Sequence, residues 1–254
     1  GVDDYVLVGN QTSLNVGEVD FTLQAFIKVS PQSGIGYVIS KRYFSSGDGY
    51  EMYVKPSGEL RLSILGSGET GFTHSTLVND NNWHTIHGVF DRDGNGIVYV
   101  DGVPGTPVQL GQQGNIDNDQ VFVIGEFSSL DGRVLDGLID EVAVWTSALT
   151  SSEITALYNS GNGLDVSSNS GDYTSSSNLK GYWKFNEGSG STLIDYSGNG
   201  NHGTIHGATW DLDGGPISSG DVENIIGNTN TVLWQSTQDL PTSTDNSNVF
   251  IRVT

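Results

Sequence analysis

The strongest constraint on the fold is a single stretch, residues 135–163, in which a strand pattern runs directly into a helix pattern. From Leu138 to Val144, apolar residues occupy both faces of the segment, as in a strand that is buried on both sides. The acidic pair Asp140 and Glu141 interrupts this run. The pattern therefore predicts a buried strand that carries two carboxylates.

The second half of the same stretch predicts a short helix. Thr150 or Ser151 can act as the N-cap, and Glu153 stands where a capping box requires an acidic residue. Apolar residues follow at helical spacing: Ile154, Leu157 and Tyr158. Gly161 and Gly163 favour termination of the helix.

This strand and helix resemble a pattern of the laminin-G-like jelly rolls, which stand with the pentraxins in the concanavalin A-like lectin/glucanase group. The similarity runs nearly residue for residue through Gly137–Tyr158. Asn82–Asp101, with its WH and YVD motifs, resembles the family's central hairpin, and Gly181–Trp210 resembles its opening strand and Ser-Gly-Asn-Gly-Asn turn. The resemblance covers residues 1–212 and implies a fold that carries lectins, adhesion modules, enzymes and spacers alike.

Length and composition lead to the same fold class. The chain has 254 residues, of which 35 are glycine and only 35% are apolar, as expected for many strands joined by tight turns. We predict an all-β protein: an antiparallel jelly-roll β-sandwich with one short helix and a C-terminal β tail. Residues 1–212 form the sandwich and residues 213–254 the tail, which is either a partial immunoglobulin-like piece or a donor strand.

The order of the segments departs from the family pattern. The family's opening strand, residues 181–186, follows the closing helix instead of preceding Tyr5. Because the chain begins at Gly1 in the middle of the family pattern, it is expected to be a processed or excised piece. A second repeat would need far more residues than remain. The segment 181–210 is therefore predicted to complete the sandwich, either in this chain or in a neighbouring one.

The charge of the chain excludes several partners. The formal net charge is −20, and such an acidic protein lacks the basic stripe that binds nucleic acid or anionic membranes. The sequence has no cysteine and no apolar run of membrane length, so disulfides, thiol catalysis and membrane insertion are not expected. An acidic, disulfide-free domain of this family favours an extracellular location on a bacterial cell surface.

One turn predicts a calcium site. Residues 195–202, with the sequence DYSGNGNH, offer the hard oxygen ligands that Ca²⁺ prefers: Asp195, Asn199 and Asn201. Asp140 is a fourth candidate, because relatives place its strand beside the opening strand. The alternative is that the asparagine and glycine residues only supply positive φ for a tight turn. The double-calcium motif of the pentraxins is not matched.

A glycan site would need exposed aromatic rings beside amides and acids. The candidate ligand-binding residues are Tyr43, Phe44, Asp48, Asn82 and Trp83. The alternative is that these aromatic residues belong to the core, as is common in sandwiches.

No catalytic residue is predicted. Glucanases of this group use a Glu-x-Asp-x-x-Glu strand, whereas Asp140 and Glu141 are adjacent and so should point to opposite faces of their strand. The leading interpretation is a non-catalytic recognition or adhesion module that binds a glycan or a cell-surface protein, with calcium as a candidate cofactor. The alternative is a filament subunit that self-associates by donating a terminal strand, and a glycan hydrolase ranks third.

Overall fold

The computed structural model of the chain describes residues 4–43 and 47–211. Phe44 and the tail at residues 213–254 lie outside these ranges, so what was predicted for them, including strand donation, stays a prediction. The described strands are β1 (Tyr5–Gly9), β2 (Phe21–Val29), β3 (Gly36–Arg42), β4 (Gly49–Val54), β5 (Glu59–Leu65), β6 (Glu69–Leu77), β7 (Trp83–Phe90), β8 (Asn95–Val100), β9 (Val103–Pro104), β10 (Val108–Gln109), β11 (Phe122–Ile124), β12 (Gly137–Trp145), β13 (Leu179–Trp183), β14 (Thr192–Leu193) and β15 (Gly203–His206). The α-helix is α1 (Ser151–Tyr158), and short 3-10 turns occupy Thr12–Leu14, Asn159–Gly161 and Ser176–Asn178.

The strands form two antiparallel sheets. Sheet A has the order β14-β15-β1-β11-β3-β4-β5-β6, and sheet B has the order β10-β8-β7-β2-β12-β13, with β9 beside β8. Together they make a β-sandwich with one short helix, which confirms the predicted jelly-roll class. The predicted central hairpin is present as β7 and β8, which pair from Ile86 with Val100 to Phe90 with Gly96.

The main core lies between the sheets because alternate residues of each strand point inward. In β2 the inward residues are Leu23, Ala25 and Ile27, and each is fully buried. Aromatic side chains also pack within this core: Phe21 stacks on Phe90 with ring centroids 4.1 Å apart, and Phe122 stacks on Trp183 at 5.3 Å. Burial of each such large apolar side chain contributes about 1.5–3 kcal/mol to stability.

Helix α1 packs on the other face of sheet B. Its N-cap is Thr150, whose hydroxyl accepts the Glu153 N–H, while the Glu153 carboxylate accepts the Thr150 N–H, so the predicted capping box is present. The helix ends at Asn159, which takes the left-handed conformation at φ 45°, two residues before the predicted glycine. Asparagine adopts this conformation more readily than most residues and can end a helix as glycine does.

The segment after the helix supplies strands to both sheets. In sheet B, β13 pairs with β12, from Val142 with Trp183 to Trp145 with Leu179. In sheet A, β15 pairs with β1, from Tyr5 with His206 to Leu7 with Thr204.

Candidate ligand-binding site

The outer face of sheet A, which points away from the core, carries a cluster of aromatic and charged side chains. The core-facing residues of β4 are Tyr50, Met52 and Val54. Glu51 and Tyr53 therefore project outward, and the strand register places Ser40 on one side of Glu51 and Ser63 on the other. The cluster, called the Glu51 face below, consists of Tyr37, Arg42, Glu51, Tyr53, Arg61 and Arg133.

Aromatic rings form one side of the Glu51 face. The ring centroids of Tyr37 and Tyr53 are 5.1 Å apart, and those of Tyr37 and Phe127 are 4.8 Å apart. The Arg133 guanidinium carbon lies 3.8 Å from the Phe127 centroid and 5.4 Å from that of Tyr37. This stack of rings under a guanidinium group is a rigid apolar wall, since aromatic side chains have few rotatable bonds.

Glu51 is the buried charge of the face. Its side chain is only 1% exposed, and Oε1 accepts a hydrogen bond from Arg42 Nη1 at 2.9 Å. Burial raises the pKa of the Glu51 carboxyl, and Arg42 opposes the increase. The second oxygen, Oε2, accepts no hydrogen bond of good geometry from the residues that the structure describes; the nearby Ser63 hydroxyl lowers the pKa of Glu51, but it donates to Glu69 Oε1 at 3.4 Å. A buried carboxylate oxygen without a partner is costly and needs an explanation.

Three arginines converge on this face, although the whole chain has only 10 basic residues. Arg61 Nη2 bonds Glu69 Oε1 at 3.0 Å, and Arg133 holds Asp131 through two bonds of 2.8 and 2.6 Å. The Arg61 guanidinium lies over Gly71, where a Cβ atom would come within 2.0 Å of Nη2. The Nε atoms of Arg42 and Arg61 are buried, and neither has a partner within residues 4–43 and 47–211.

The loop after β11 is fastened to the edge of this face. Ser128 Oγ lies 3.1 Å from Ser40 Oγ and donates to the Arg42 carbonyl oxygen at 2.6 Å. In the same loop, Glu126 Oε1 accepts the Gly132 N–H at 2.7 Å. These bonds fix the part of the loop that brings Arg133 over the aromatic rings.

A groove of about 720 Å³ runs along the edge strand β6. Its lining includes Phe72 and His74 of β6, Pro104 and Pro107 from the opposite segment, and Arg61. Arg61 therefore borders both the groove and the Glu51 face. The volume lies within the range of small-molecule sites, about 300–1,000 Å³.

The ligand-binding residues proposed from sequence do not form one patch. Tyr43 and Asp48 lie together in the loop between β3 and β4, where the Tyr43 N–H donates to the Asp48 carbonyl oxygen at 2.9 Å. Trp83 begins β7 in sheet B, and Asn82 directly precedes it. The first pair therefore lies between two strands of sheet A, whereas the second lies at one end of a strand of sheet B.

The Asp195 turn uses its polar groups to hold itself together. Asp195 Oδ1 accepts the N–H groups of Tyr182 and Ser197, and Oδ2 accepts the Asn201 N–H at 2.8 Å and the Ser197 hydroxyl at 2.9 Å. The side-chain amide of Asn199 donates to the carbonyl oxygens of residues 179 and 180. Four donors on one carboxylate fit an organised turn better than a calcium ligand set.

A metal site is not otherwise indicated in the described ranges, which contain no group of three or more histidine or acidic side chains placed to hold an ion. Asp140, the fourth proposed ligand, accepts the Glu141 N–H at 2.9 Å. Calcium binding therefore stays a prediction.

The expectation that Asp140 and Glu141 point to opposite faces is wrong. A bulge interrupts the pairing of β12 with β2 between Asp140 and Ala143, and Glu141 adopts a positive φ of 48°. Asp140 pairs with the outward-facing Phe26, and Glu141 Oε2 accepts the hydroxyl of Tyr182, which also packs on the outer face of sheet B. An extra residue breaks the two-residue alternation of a strand, so both carboxylates lie on the same side.

One feature of the sequence could have indicated the Glu51 face: the alternation of residues in β4. In β4, the charged Glu51 lies between the core residues Tyr50 and Met52, so alternation forces it outward. Its partners Arg42, Arg61 and Arg133 are close only through strand pairing, and this requires knowledge of the register.

The comparisons with known proteins agree with the fold. A family model described as Laminin_G_3, concanavalin A-like lectin/glucanases superfamily, matches residues 1–155. The chain belongs to this superfamily. No curated protein sequence matches the chain significantly.

Solved structures resemble the chain at low sequence identity. A candidate carbohydrate-binding protein from Bacteroides ovatus is 20% identical with a TM-score of 0.62, over 85% of this chain and 59% of that chain. The binding domain of Paraclostridial Mosquitocidal Protein 1 is 19% identical with a TM-score of 0.49, over 62% of this chain and 41% of that one. This chain thus spans less than two thirds of either protein. None of its described helices is long and apolar enough to cross a membrane.

Proposed function

We propose that this domain is a non-catalytic recognition module, displayed outside a bacterial cell, that binds a glycan at the Glu51 face. The observation that carries the proposal is the buried Glu51 carboxylate, with one oxygen unpaired in the described structure, beside aromatic rings and arginines. Sugars present polar hydroxyl groups, which an unpaired carboxylate oxygen and arginine donors can bind, while the buried rings of Tyr37, Tyr53 and Phe127 hold the face rigid.

The groove along β6 supports a chain of sugars as the ligand. Because Arg61 borders the groove as well as the Glu51 face, a glycan held at Glu51 could extend along the exposed Pro104 and Pro107. The Bacteroides ovatus protein with the same fold is named for carbohydrate binding, which supports the proposal by analogy alone.

The carboxylates of sheet B support a role without catalysis. Glycoside hydrolysis needs two carboxyl groups that face one sugar across a cleft. Glu141 is instead buried with its carboxylate on the Tyr182 hydroxyl, and Asp140 caps the adjacent backbone N–H. The net charge of −20 and the absence of cysteine support an extracellular setting.

The proposal is tested with a glycan array and with affinity electrophoresis against the polysaccharides that the array identifies. Arg61→Ala should weaken binding about tenfold or more, since a hydrogen bond to a charged group is worth about 1.5–3 kcal/mol. Lys180→Ala is the matched control, because it removes a cation from sheet B, away from the Glu51 face. Equal binding by wild type and Arg61→Ala, or no glycan bound at all, would refute the proposal.

A further inference from the structure

We infer that the Glu51 face selects an uncharged sugar that presents two adjacent hydroxyl groups. The inference rests on the proposed function and adds the chemical class of the ligand. It comes from the polar atoms that the protein leaves without partners on three neighbouring strands, β3, β4 and β5.

Three buried atoms define what a ligand must supply. Glu51 Oε2 is an acceptor that needs a donor, while Arg42 Nε and Arg61 Nε are donors that need acceptors, and none has a partner in the described part of the chain. A hydroxyl group both donates and accepts. One hydroxyl could therefore donate to Glu51 Oε2 and accept from Nε of Arg42, which is ion-paired with Glu51; the adjacent hydroxyl could accept from Arg61 Nε once Arg61 turns from Gly71 toward it.

An acidic sugar fits these atoms less well. A carboxylate or sulfate could accept from the arginines, but it has no proton to give to Glu51 Oε2 and would be repelled by the Glu51 charge. The arginines also attract an anion only weakly, because a carboxylate already neutralises each of them: Arg42 is paired with Glu51, Arg61 with Glu69, and Arg133 with Asp131. The net charge of −20 adds a long-range repulsion of anions.

A cationic ligand fails for the opposite reason. It would satisfy Glu51 Oε2 but leave both Nε donors unpaired, and it would lie against two guanidinium groups. Arg42 is already paired with Glu51 and Arg61 with Glu69, so an uncharged ligand leaves these ion pairs in place.

Access to Glu51 requires only side-chain movement. The residues beside it on the neighbouring strands are the short Ser40 and Ser63, and the absence of a Cβ at Gly71 gives Arg61 room on the sheet. The side chains of Arg42 and Arg61 are 21% and 26% exposed, so their long stems border solvent. They can turn outward to admit a sugar and then hydrogen-bond its hydroxyls.

The experiment compares matched probes on the full chain. We expect wild type to bind neutral polysaccharides from a panel of dextran, mannan and β-glucan, and not dextran sulfate or polygalacturonate. Binding should change less than twofold between about 50 and 500 mM NaCl, because an uncharged ligand is not screened. Competition by methyl glycosides should drop about tenfold or more when either of two adjacent hydroxyls is replaced by hydrogen.

Glu51→Gln should weaken binding of the same neutral probe about tenfold or more, whereas Glu18→Gln, an exposed glutamate outside the face, should not. The deoxy-sugar competition needs no variant, so it decides the matter even if Glu51→Gln folds poorly. Binding of only acidic glycans, or of neutral glycans with no loss for any deoxy sugar, overturns this inference and leaves the proposed function standing. Binding of no glycan removes both.

Discussion

The two sheets each bury a glutamate on the face that points away from the shared core, but the two carboxylates have different surroundings. On sheet B, Glu141 accepts the Tyr182 hydroxyl, and the face is covered by α1 and the apolar cluster beneath it. On sheet A, Glu51 pairs with Arg42 through one oxygen only, and partly exposed arginines lie around it.

The difference separates a structural face from a candidate binding face. A buried polar group that serves the fold alone is expected to be fully satisfied, because each unmet hydrogen bond is costly. The sheet B face also contains Glu153, whose carboxylate accepts hydrogen bonds from Thr150, Thr174 and Ser175 and ties α1 to the segment that follows it. The sheet B face leaves the buried Nδ1 of His87 without a partner in the described structure, whereas the Glu51 face leaves three buried atoms unpaired, all on or beside partly exposed arginines, as a site for an external partner would.

The largest change in stability is expected from a substitution in the contact between α1 and sheet B. Leu157→Ala removes a side chain that is 1% exposed in the cluster between α1 and sheet B. The free energy of unfolding should fall by about 2–5 kcal/mol, with glycan binding unchanged. Urea denaturation measures the loss, and affinity electrophoresis measures binding.

Leu77→Ala is the control for this change. It makes the same substitution at a leucine of β6 that is 49% exposed, and it should alter stability by less than about 0.5 kcal/mol. If Leu157→Ala left stability unchanged, or if it abolished glycan binding, the distinction between a structural face on sheet B and a binding face on sheet A would be wrong.

The next largest effect would be a gain in folding stability on calcium binding. Such a gain would mean that the chain has a second functional region at the Asp195 turn. A ligand bound only by the folded chain at a hundred times its dissociation constant adds about 2.7 kcal/mol to stability. Thermal melts in calcium and in chelator measure this. Identical melting temperatures would show that Asp195 serves the turn alone, as its four hydrogen bonds already favour.

The features that sequence predicted correctly depend on local signals. The capping box of Thr150 and Glu153 spans four residues, so the start of α1 is readable without knowledge of the fold. The face of Glu141 was not readable, because one extra residue in β12 changes the alternation on which the prediction depended. A bulge is a property of how β12 pairs with β2, not of its own residue pattern.

The candidate site shows the same limit more strongly. Arg42, Glu51 and Arg61 lie on three successive strands and meet only in the correct register, while Arg133 arrives from a loop far along the chain. The aromatic residues chosen from sequence, Tyr43 and Trp83, were selected for their type, and strand order separates them. Residue type therefore predicts a kind of site, whereas the position of the candidate site depends on topology.

The smallest expected effect is the pH dependence of stability that Glu51 and Glu153 produce, and here the two faces differ most clearly. Burial raises the pKa of Glu51 above the ordinary value of 4.5. Burial also favours the neutral form of Glu153, but its hydrogen bonds with Ser175, Thr150 and Thr174 outweigh it and lower the pKa. A tenfold difference in acid dissociation between the folded and unfolded chains is worth about 1.4 kcal/mol.

The two glutamates change the stability of the folded chain with pH in opposite directions. Glu51 is protonated in both states at low pH, and as the pH rises above 4.5 the unfolded chain ionises first, so stability falls until the folded pKa is passed. Glu153 is ionised in both states above 4.5, and its contribution is lost as the pH falls through the lowered folded pKa. Urea denaturation of wild type, Glu51→Gln and Glu153→Gln between about pH 3 and 8 measures both.

Wild type should lose stability relative to Glu51→Gln as the pH rises above 4.5, and it should lose stability relative to Glu153→Gln as the pH falls below 4.5. Each variant serves as the control for the other, because both replace a carboxylate by an amide of the same shape. Parallel curves for the two variants would mean that the Glu51 carboxylate is as well satisfied as that of Glu153. The sheet A face would then be structural too, and the case for a ligand at Glu51 would fail with it.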